Sequence, residues 1–324
     1  MKVQSGLRSA AGILLAFAHV LAFAQAWPAK PVRIIVPFSP GGFVDSSVRT
    51  VGDRLGARLG QPVVIENRLG AAGNIGAELV AKSSPDGYTL LAAYDGTIVI
   101  NPHIYAKTGF DPIRDFAPVT KLGDAGVLIV SHPSVPVKDL RELIALAKAK
   151  PGYLQFGSAG TGSSAHLACE MLNQHAGIQL VHVPYKGGSQ AIADVVGGQI
   201  PLACTAVAGA QQFMKSGRLR GIGLSSATRV SSAPDVPTFV ESGVPDVVVD
   251  SWVGLLAPAG TPKAVIDRLQ VEAAAVLQMP EVRERYAVIG VEPVGNKPEA
   301  YGAQIRADLA RWGPVVRQAN IRIE

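Results

Sequence analysis

Short β-branched and apolar runs alternate with amphipathic stretches along most of the chain. The run Val32-Arg33-Ile34-Ile35-Val36-Pro37-Phe38 reads as a strand, and the pattern over 45–59 as a helix. Strand-like runs recur at 62–66, 88–93, 127–131, 154–157, 180–183, 200–204, 219–224 and 252–257. Helical periodicity marks 74–82, 139–150, a segment running through Leu172, 190–196, 262–277 and 298–318. The clearest helix is 139–150, where Leu140, Leu143, Ile144 and Ala147 fall on one face. The strand-like runs do not alternate apolar with polar residues, which indicates parallel sheets covered on both faces. The expected fold class is therefore α/β, with two doubly wound domains rather than one sheet. No short-period repeat or low-complexity linker separates them, so crossing strands should join them, near 119–126 and 249–253. The boundaries expected are 27–125 plus 251–324 for domain 1 and 126–250 for domain 2.

The first 26 residues fit no such pattern. Lys2 and Arg8 precede an uncharged run over 10–24, which ends in two overlapping small-x-small sites, Ala22-Phe23-Ala24 and Ala24-Gln25-Ala26. This is the layout of a secretory signal peptide, cleaved near Ala24 or Ala26. The run of 15 residues is shorter than the roughly 20 a spanning helix needs. An exported, periplasmic product is expected.

Charge adds little. The net formal charge is +5, and falls to +3 once Lys2 and Arg8 are set aside. There is no basic stripe interleaved with aromatics, so a nucleic-acid partner is not expected. Two cysteines exclude a disulfide scaffold. In an oxidising compartment Cys169 and Cys204 either form one bridge or remain two buried thiols, and both readings stay open.

Two loops share one local design. Ser39-Pro40-Gly41-Gly42-Phe43-Val44-Asp45 and Ser158-Ala159-Gly160-Thr161-Gly162-Ser163-Ser164 each join a strand to a helix. A helix N-terminus presents unpaired N–H groups, glycine permits close backbone approach, and Ser and Thr add hydroxyls. Such a loop holds an anion without any Lys or Arg. The plainer reading is a tight turn with a helix cap. Asp45 serves either as a cap or as a contact to a ligand ammonium or hydroxyl. His166 is a structural histidine or a cleft residue. Lys186, in Tyr185-Lys186-Gly187-Gly188-Ser189, is a solvated lysine or faces the cleft. Tyr94-Asp95-Gly96-Thr97 and Thr205 each follow a strand and either line the cleft or form plain turns.

Enzymatic signatures are incomplete. Gly160-Thr161-Gly162-Ser163-Ser164-Ala165 matches G-x-G-x-x-A, but no acidic residue follows where a ribose would be held. Gly162-Ser163-Ser164-Ala165-His166 resembles a nucleophile elbow yet ends in His. The six histidines show no metal-ligand spacing with cysteine. No metal site and no cofactor is expected.

At these loops the chain resembles the substrate-binding receptors of tripartite tricarboxylate transporters, the Bug family. The resemblance rests on the stretch from Trp27 to Phe38 with the Pro40-Gly41-Gly42 and Asp45 that follow. It continues through QPVVIENR at 61–68, GNIG at 73–76, SPDGYTL at 84–90 and Asp115-Phe116-Ala117-Pro118-Val119. GSAGTGSSAHL at 157–167, VHVPYKGG at 181–188 and WVGLLAPAGTP at 252–262 complete it. It implies a type II periplasmic binding protein fold whose two domains close on a small organic acid in the cleft between them. It also implies delivery to a two-component membrane permease, a monomeric state, and a carboxylate held by backbone amides, hydroxyls and water. On matching positions the contacts would be Gly41, Gly42 and Asp45 from the first loop. Ser158, Thr161, Gly162, Ser163 and Ser164 would come from the second, with His166 close by.

Two departures bear on the ligand. Phe43-Val44 follow the glycines where the family often has small residues, and Thr205-Ala206 stand where it often has an acid-amide pair. Both lean away from an amino-acid ligand and toward an apolar or aromatic acid. Two rival readings use the same fold. One is an exported enzyme with Asp45, His166 or Lys186 as acid or base. The other is a ligand sensor for a signalling partner.

Overall fold

Strand β4 (Phe116–Ser131) is the longest strand and runs through both halves of the sheet. Over Phe116–Gly126 it pairs antiparallel with β9 (Asp250–Pro258), and over Val127–Ser131 with β7 (Leu202–Ala206) and β8 (Arg220–Leu224). The computed structural model describes residues 27–318 and 321–322, so the leader expected over 1–26 lies outside the described residues. With β1 (Val32–Val36), β2 (Val63–Asn67), β3 (Thr89–Tyr94), β5 (Gln155–Ser158) and β6 (Val181–Pro184), the main path across the sheet is β2-β1-β3-β9-β4-β7-β5-β6, with β8 and the short β10 (Glu292–Pro293) also paired to β4.

On one side of the crossing, β1 (Val32–Val36) pairs parallel with β2 (Val63–Asn67) and β3 (Thr89–Tyr94). On the other, β5 (Gln155–Ser158) pairs parallel with β6 (Val181–Pro184) and β7. The expectation of purely parallel sheets is corrected here, because β9 and β4 run antiparallel to their neighbours. The reason is physical. Both strands are covered on both faces, so neither shows the alternation that marks an antiparallel strand with one wet face. Burial is visible in sequence, and strand direction is not.

Helices cover both faces, as a doubly wound fold requires. On one face, α1 (Phe43–Leu59), α8 (Lys263–Leu277) and α9 (Pro280–Val288) pack on Ile34, Leu90, Val119 and Leu255. On the same strands the alternate residues Ile35, Leu91 and Leu256 face the other way. They join a cluster that continues through Val127, Ile129, Phe156 and Leu167 beneath both halves of the sheet. It includes α2 (Asn74–Ala81), α4 (Leu140–Ala149), α5 (Ser164–Ala176) and α10 (Pro298–Gln318). A third cluster seats α6 (Gly188–Val196) and α7 (Val207–Lys215) on Leu128 and Val130. Helices α7 and α9 were not expected from periodicity. Helix α4 matches its pattern and is capped by Asp139, which accepts from the Glu142 N–H. Among the described residues no helix is long and apolar enough to cross a membrane.

Cys169 on α5 and Cys204 on β7 are both buried and free. Burial pushes the Cys169 thiol well above its usual value, reinforced by its contact with Cys204. Gly254 on β9 is required by the crossing: a Cβ there would overlap the Tyr301 hydroxyl and lie 2.9 Å from the Thr120 carbonyl. Gly254→Ala should cost about 1–3 kcal/mol through overpacking. Urea unfolding checks this, with a lower midpoint and an unchanged slope expected.

Candidate functional site

The first loop leaves β1 and enters α1. Gly41 sits at φ +78°, a left-handed conformation that favours glycine, and Gly42 is the N-cap. Asp45 is 1% exposed. Its Oδ2 accepts from the Gly41 N–H at 2.8 Å and from Arg49 Nε at 2.9 Å, and its Oδ1 accepts from Asn67 Nδ2 at 2.9 Å. Asn67 also donates to the Phe38 carbonyl. Asp45 therefore ties the loop to α1 and to the end of β2, and its carboxylate is fully occupied. Burial pulls its pKa upward, but the bonds from Arg49, Asn67 and Gly41 outweigh that and hold it below the usual carboxylate value. Phe43 is half-buried and joins the apolar cluster that also touches Phe38 and Tyr94. The Phe38 and Tyr94 rings meet edge to face, with centroids 5.1 Å apart.

The second loop leaves β5 and enters α5. Ser163 is the N-cap: its Oγ accepts from the His166 N–H at 3.2 Å and donates to the Gly160 carbonyl at 2.8 Å. Ser158 is fully buried. Its Oγ accepts from the Gly160 N–H at 3.1 Å and lies 2.7 Å from His182 Nε2. The Gly162 N–H donates to His166 Nδ1 at 3.2 Å, and His166 Nε2 lies 3.6 Å from Glu170. Two of the four loop hydroxyls, those of Ser158 and Ser163, are thus spent on the loop itself. The Ser163 N–H donates to the Gly160 carbonyl and the His166 N–H to Ser163, so the Ser164 and Ala165 N–H groups are the ones left as donors at the start of α5.

His182 was not singled out by sequence. Its ring stacks on that of His166, with centroids 3.8 Å apart, and on Phe156 at 5.1 Å. Burial, then the neighbouring His166, lowers its pKa to about 3. The remaining expected residues fall in two groups. Thr161 is half-buried in the second loop. Thr205 is buried at the end of β7, where its Oγ1 lies 2.8 Å from an ideal Cβ on Gly188 at the start of α6. Lys186 is exposed, only its backbone N–H is engaged, with Gln190, and it has no ion pair among the described residues.

The end of β3 meets the second loop across a seam, and the first loop adjoins that seam through the Phe38 ring against Tyr94. Tyr94 Oη, at the end of β3, lies 3.0 Å from Ser164 Oγ, at the start of α5. An ideal Cβ on Gly96 would be 3.4 Å from the Gly162 carbonyl. One on Gly162, itself at φ +81°, would overlap Ile104 of α3 (Asn101–Ile104). Behind Tyr94, the turn Ala71–Gly73 holds Ala71 and Ala72 at φ +47° and +51°. That conformation costs an L-residue roughly 1–2 kcal/mol each. It is held because Thr97 Oγ1 and Asn101 Nδ2 both donate to the Ala72 carbonyl, at 2.8 and 3.0 Å. Asn101 and the two alanines were also missed, since nothing in a Gly-Ala-Ala-Gly run marks its alanines as left-handed.

Asp45→Asn should lower stability by about 1–3 kcal/mol at pH 7, because an amide cannot accept from all three donors. Since the native pKa is depressed, the wild-type advantage is present above pH 4 and lost as pH falls further. Urea unfolding at pH 7 and pH 3 checks both statements.

Comparison with known proteins identifies the family. The family described as "Tripartite tricarboxylate transporter family receptor" matches residues 47–321. The protein BugT of Bordetella pertussis is 34% identical over 316 residues, 97% of each chain. The structure of Rpa4515 of Rhodopseudomonas palustris with adipate has a TM-score of 0.86 at 33% identity and covers 91% of this chain and 99% of that one. MatC of the same organism, with bound malate, has a TM-score of 0.82 at 31% identity, over 90% and 100%. The chain belongs to the receptor family of the tripartite tricarboxylate transporters.

Proposed function

We propose that the protein is a periplasmic receptor that binds a small organic acid between its two halves and passes it to a two-component membrane permease. One observation carries this reading: Tyr94, which ends β3 and packs on Phe38 beside the first loop, meets Ser164 at the N-terminus of α5, so two strand-to-helix ends with backbone N–H groups adjoin one seam. Arg49, the nearest candidate cation on α1, is already bound to Asp45. Helix N-termini and neutral donors suit a carboxylate. Two relatives of this family hold such acids, adipate and malate.

The division we read is 27–125 plus 251–324 against 126–250, with β4 and β9 as the crossing strands. In this reading the first loop contributes the start of α1 just after Gly41 and Gly42, whose own N–H groups donate to Asp45 and Ser39, and the second contributes the start of α5. Phe43, Phe38 and Tyr94 form the apolar side of the cleft and favour an acid with an apolar or aromatic body. A cleaved leader places the receptor in the periplasm, and it acts as a monomer. The enzyme reading has less support: Asp45 has three donors on its oxygens, and His166 is held between Gly162 and Glu170.

The test is thermal unfolding of the purified chain from Trp27 onward against aliphatic and aromatic mono-, di- and tricarboxylates. An acid at about 100 times its Kd adds about 2.7 kcal/mol of stability. No shift with any acid would remove the carboxylate reading. Gly162→Ala then tests the seam. Its methyl would meet Ile104 when the halves are together, so affinity should fall about tenfold or more. Unchanged affinity, measured by calorimetry, would place the ligand elsewhere.

A further inference from the structure

Four carboxylates gather where β4 and β9 cross. Asp95 follows β3, Asp124 lies on β4, Asp250 opens β9 and Asp308 lies on α10. The register sets Asp124 opposite Trp252, and Asp250 opposite Gly126. Asp124 pairs with Lys121 at 2.8 Å. Asp308 accepts from Trp252 Nε1 at 3.0 Å and lies 3.6 Å from Arg311. Asp250 feels both Lys121 and Arg311.

Asp95 has neither cation. It is 1% exposed, and Ser251 Oγ donates to its Oδ1 at 2.9 Å. Its Oδ2 is buried with no hydrogen-bond partner among the described residues. The next residue toward the N-terminus is Tyr94, whose hydroxyl meets Ser164. Asp95 therefore stands directly behind the seam where an anion would sit on α5.

We propose that Asp95 is a proton-binding residue of the solute site, so that the receptor takes up a proton together with the carboxylate. The inference rests on the carboxylate reading above. A buried carboxylate without a cation is expensive to charge. Burial, with a smaller contribution from Asp308, raises its pKa to about 7. A second negative charge at Ser164 raises it further, and a rise of one unit equals about tenfold in affinity between low and high pH. Binding is then favoured below pH 7, where Asp95 is already neutral, and weakens as pH rises. The groups that act on it are Ser251 from β9, Asp308 and Tyr301 from α10, Tyr94 from β3 and the Gly96 N–H after it, while Asp250, Asp124, Lys121 and Arg311 lie one step further off around Asp308. From α5 come Ser164 and, behind it, the His166–Glu170 pair. Lys121 and Arg311 are engaged by Asp124 and Asp308, and His182 stays neutral throughout the range that matters.

Isothermal calorimetry with adipate and with malate, from pH 6.5 to 8.5 in buffers of different ionisation heat, tests this. Both acids are essentially ionised across that range. The wild type should take up a fraction of a proton per acid bound at pH 7.5 and lose about tenfold in affinity across the range. Asp95→Asn should bind with no proton uptake and with pH-independent affinity. Asp250→Asn should keep the uptake. If Asp95→Asn does not fold, carbon NMR of the wild-type aspartate carboxyls replaces it: a titration with a midpoint near 7 should move up when adipate is added. Binding without proton uptake, or uptake that survives in Asp95→Asn or vanishes in Asp250→Asn, overturns the inference alone. If neither adipate nor malate binds, the titration is run with the acid of the panel above that gives the largest thermal shift; if no acid of that panel binds, the carboxylate reading fails and this inference fails with it.

Discussion

One strand is shared by two half-sheets, and the rest of the architecture depends on that pairing. β4 is bonded to β9 as far as Gly126 and to β7 and β8 from Val127 onward. In the division proposed above the halves are joined through β4 and β9, so a change in the angle between them bends these strands near Gly126 and Asp250. The irregular β4–β9 register, with shifts at Pro118/Thr120 and Lys121/Gly123, places bulges next to this point. Bulges increase local twist and re-aim the strand. Glycines allow the close approach: a Cβ on Gly123 would lie 2.8 Å from the Glu292 carbonyl, and one on Gly126 3.0 Å from Val230. The crossing brings the end of β3 against the loop after β5, and it also brings the four carboxylates together.

The electrostatics of the seam and the crossing pull in opposite directions. His182 is kept neutral by burial and by His166, so its contribution to stability is present above its ordinary value of 6.5 and is lost as pH falls. Asp95 and Asp250 are raised, to about 7 and about 6, so their contributions are complete at low pH and are lost as pH rises through those values. The two effects overlap between about pH 4 and 6.5 and partly cancel. A whole-protein stability curve therefore understates how strongly each group is perturbed.

Much of this was legible in sequence, for reasons that differ by element. The two strand-loop-helix units could be read because glycine, serine and the following periodicity each carry local information. Ser163 caps α5 as its residue type suggests. Asp45 shows the limit. A short acid at the start of a helix is recognisable, but Arg49 four residues on and Asn67 on another strand decide that its carboxylate is filled from within the protein. His182 and Asn101 were illegible because their roles arise from contacts with residues 16 and 29 positions away in the chain, His166 and Ala72. The direction of β4 was illegible because burial on both faces erases the alternation that would have revealed it.

A site built from dipoles selects differently from one built on a cation. The start of α5 offers the equivalent of about half a positive charge, spread over N–H groups whose directions are fixed by the helix. An Arg or Lys in that place would attract any anion and would carry its own desolvation cost. Here Arg49 is turned to Asp45, and Lys186 remains exposed. In the proposed reading recognition depends on geometry: the carboxylate must reach the helix end while its body fits against Phe38, Phe43 and Tyr94. Asp95 sharpens the same logic from behind. A buried negative charge with no cation opposes an incoming anion, and a proton is the smallest group that removes the opposition without altering the packing at the crossing. Holding the carboxylate there, rather than an amide, makes the field at the helix end adjustable while its shape stays fixed.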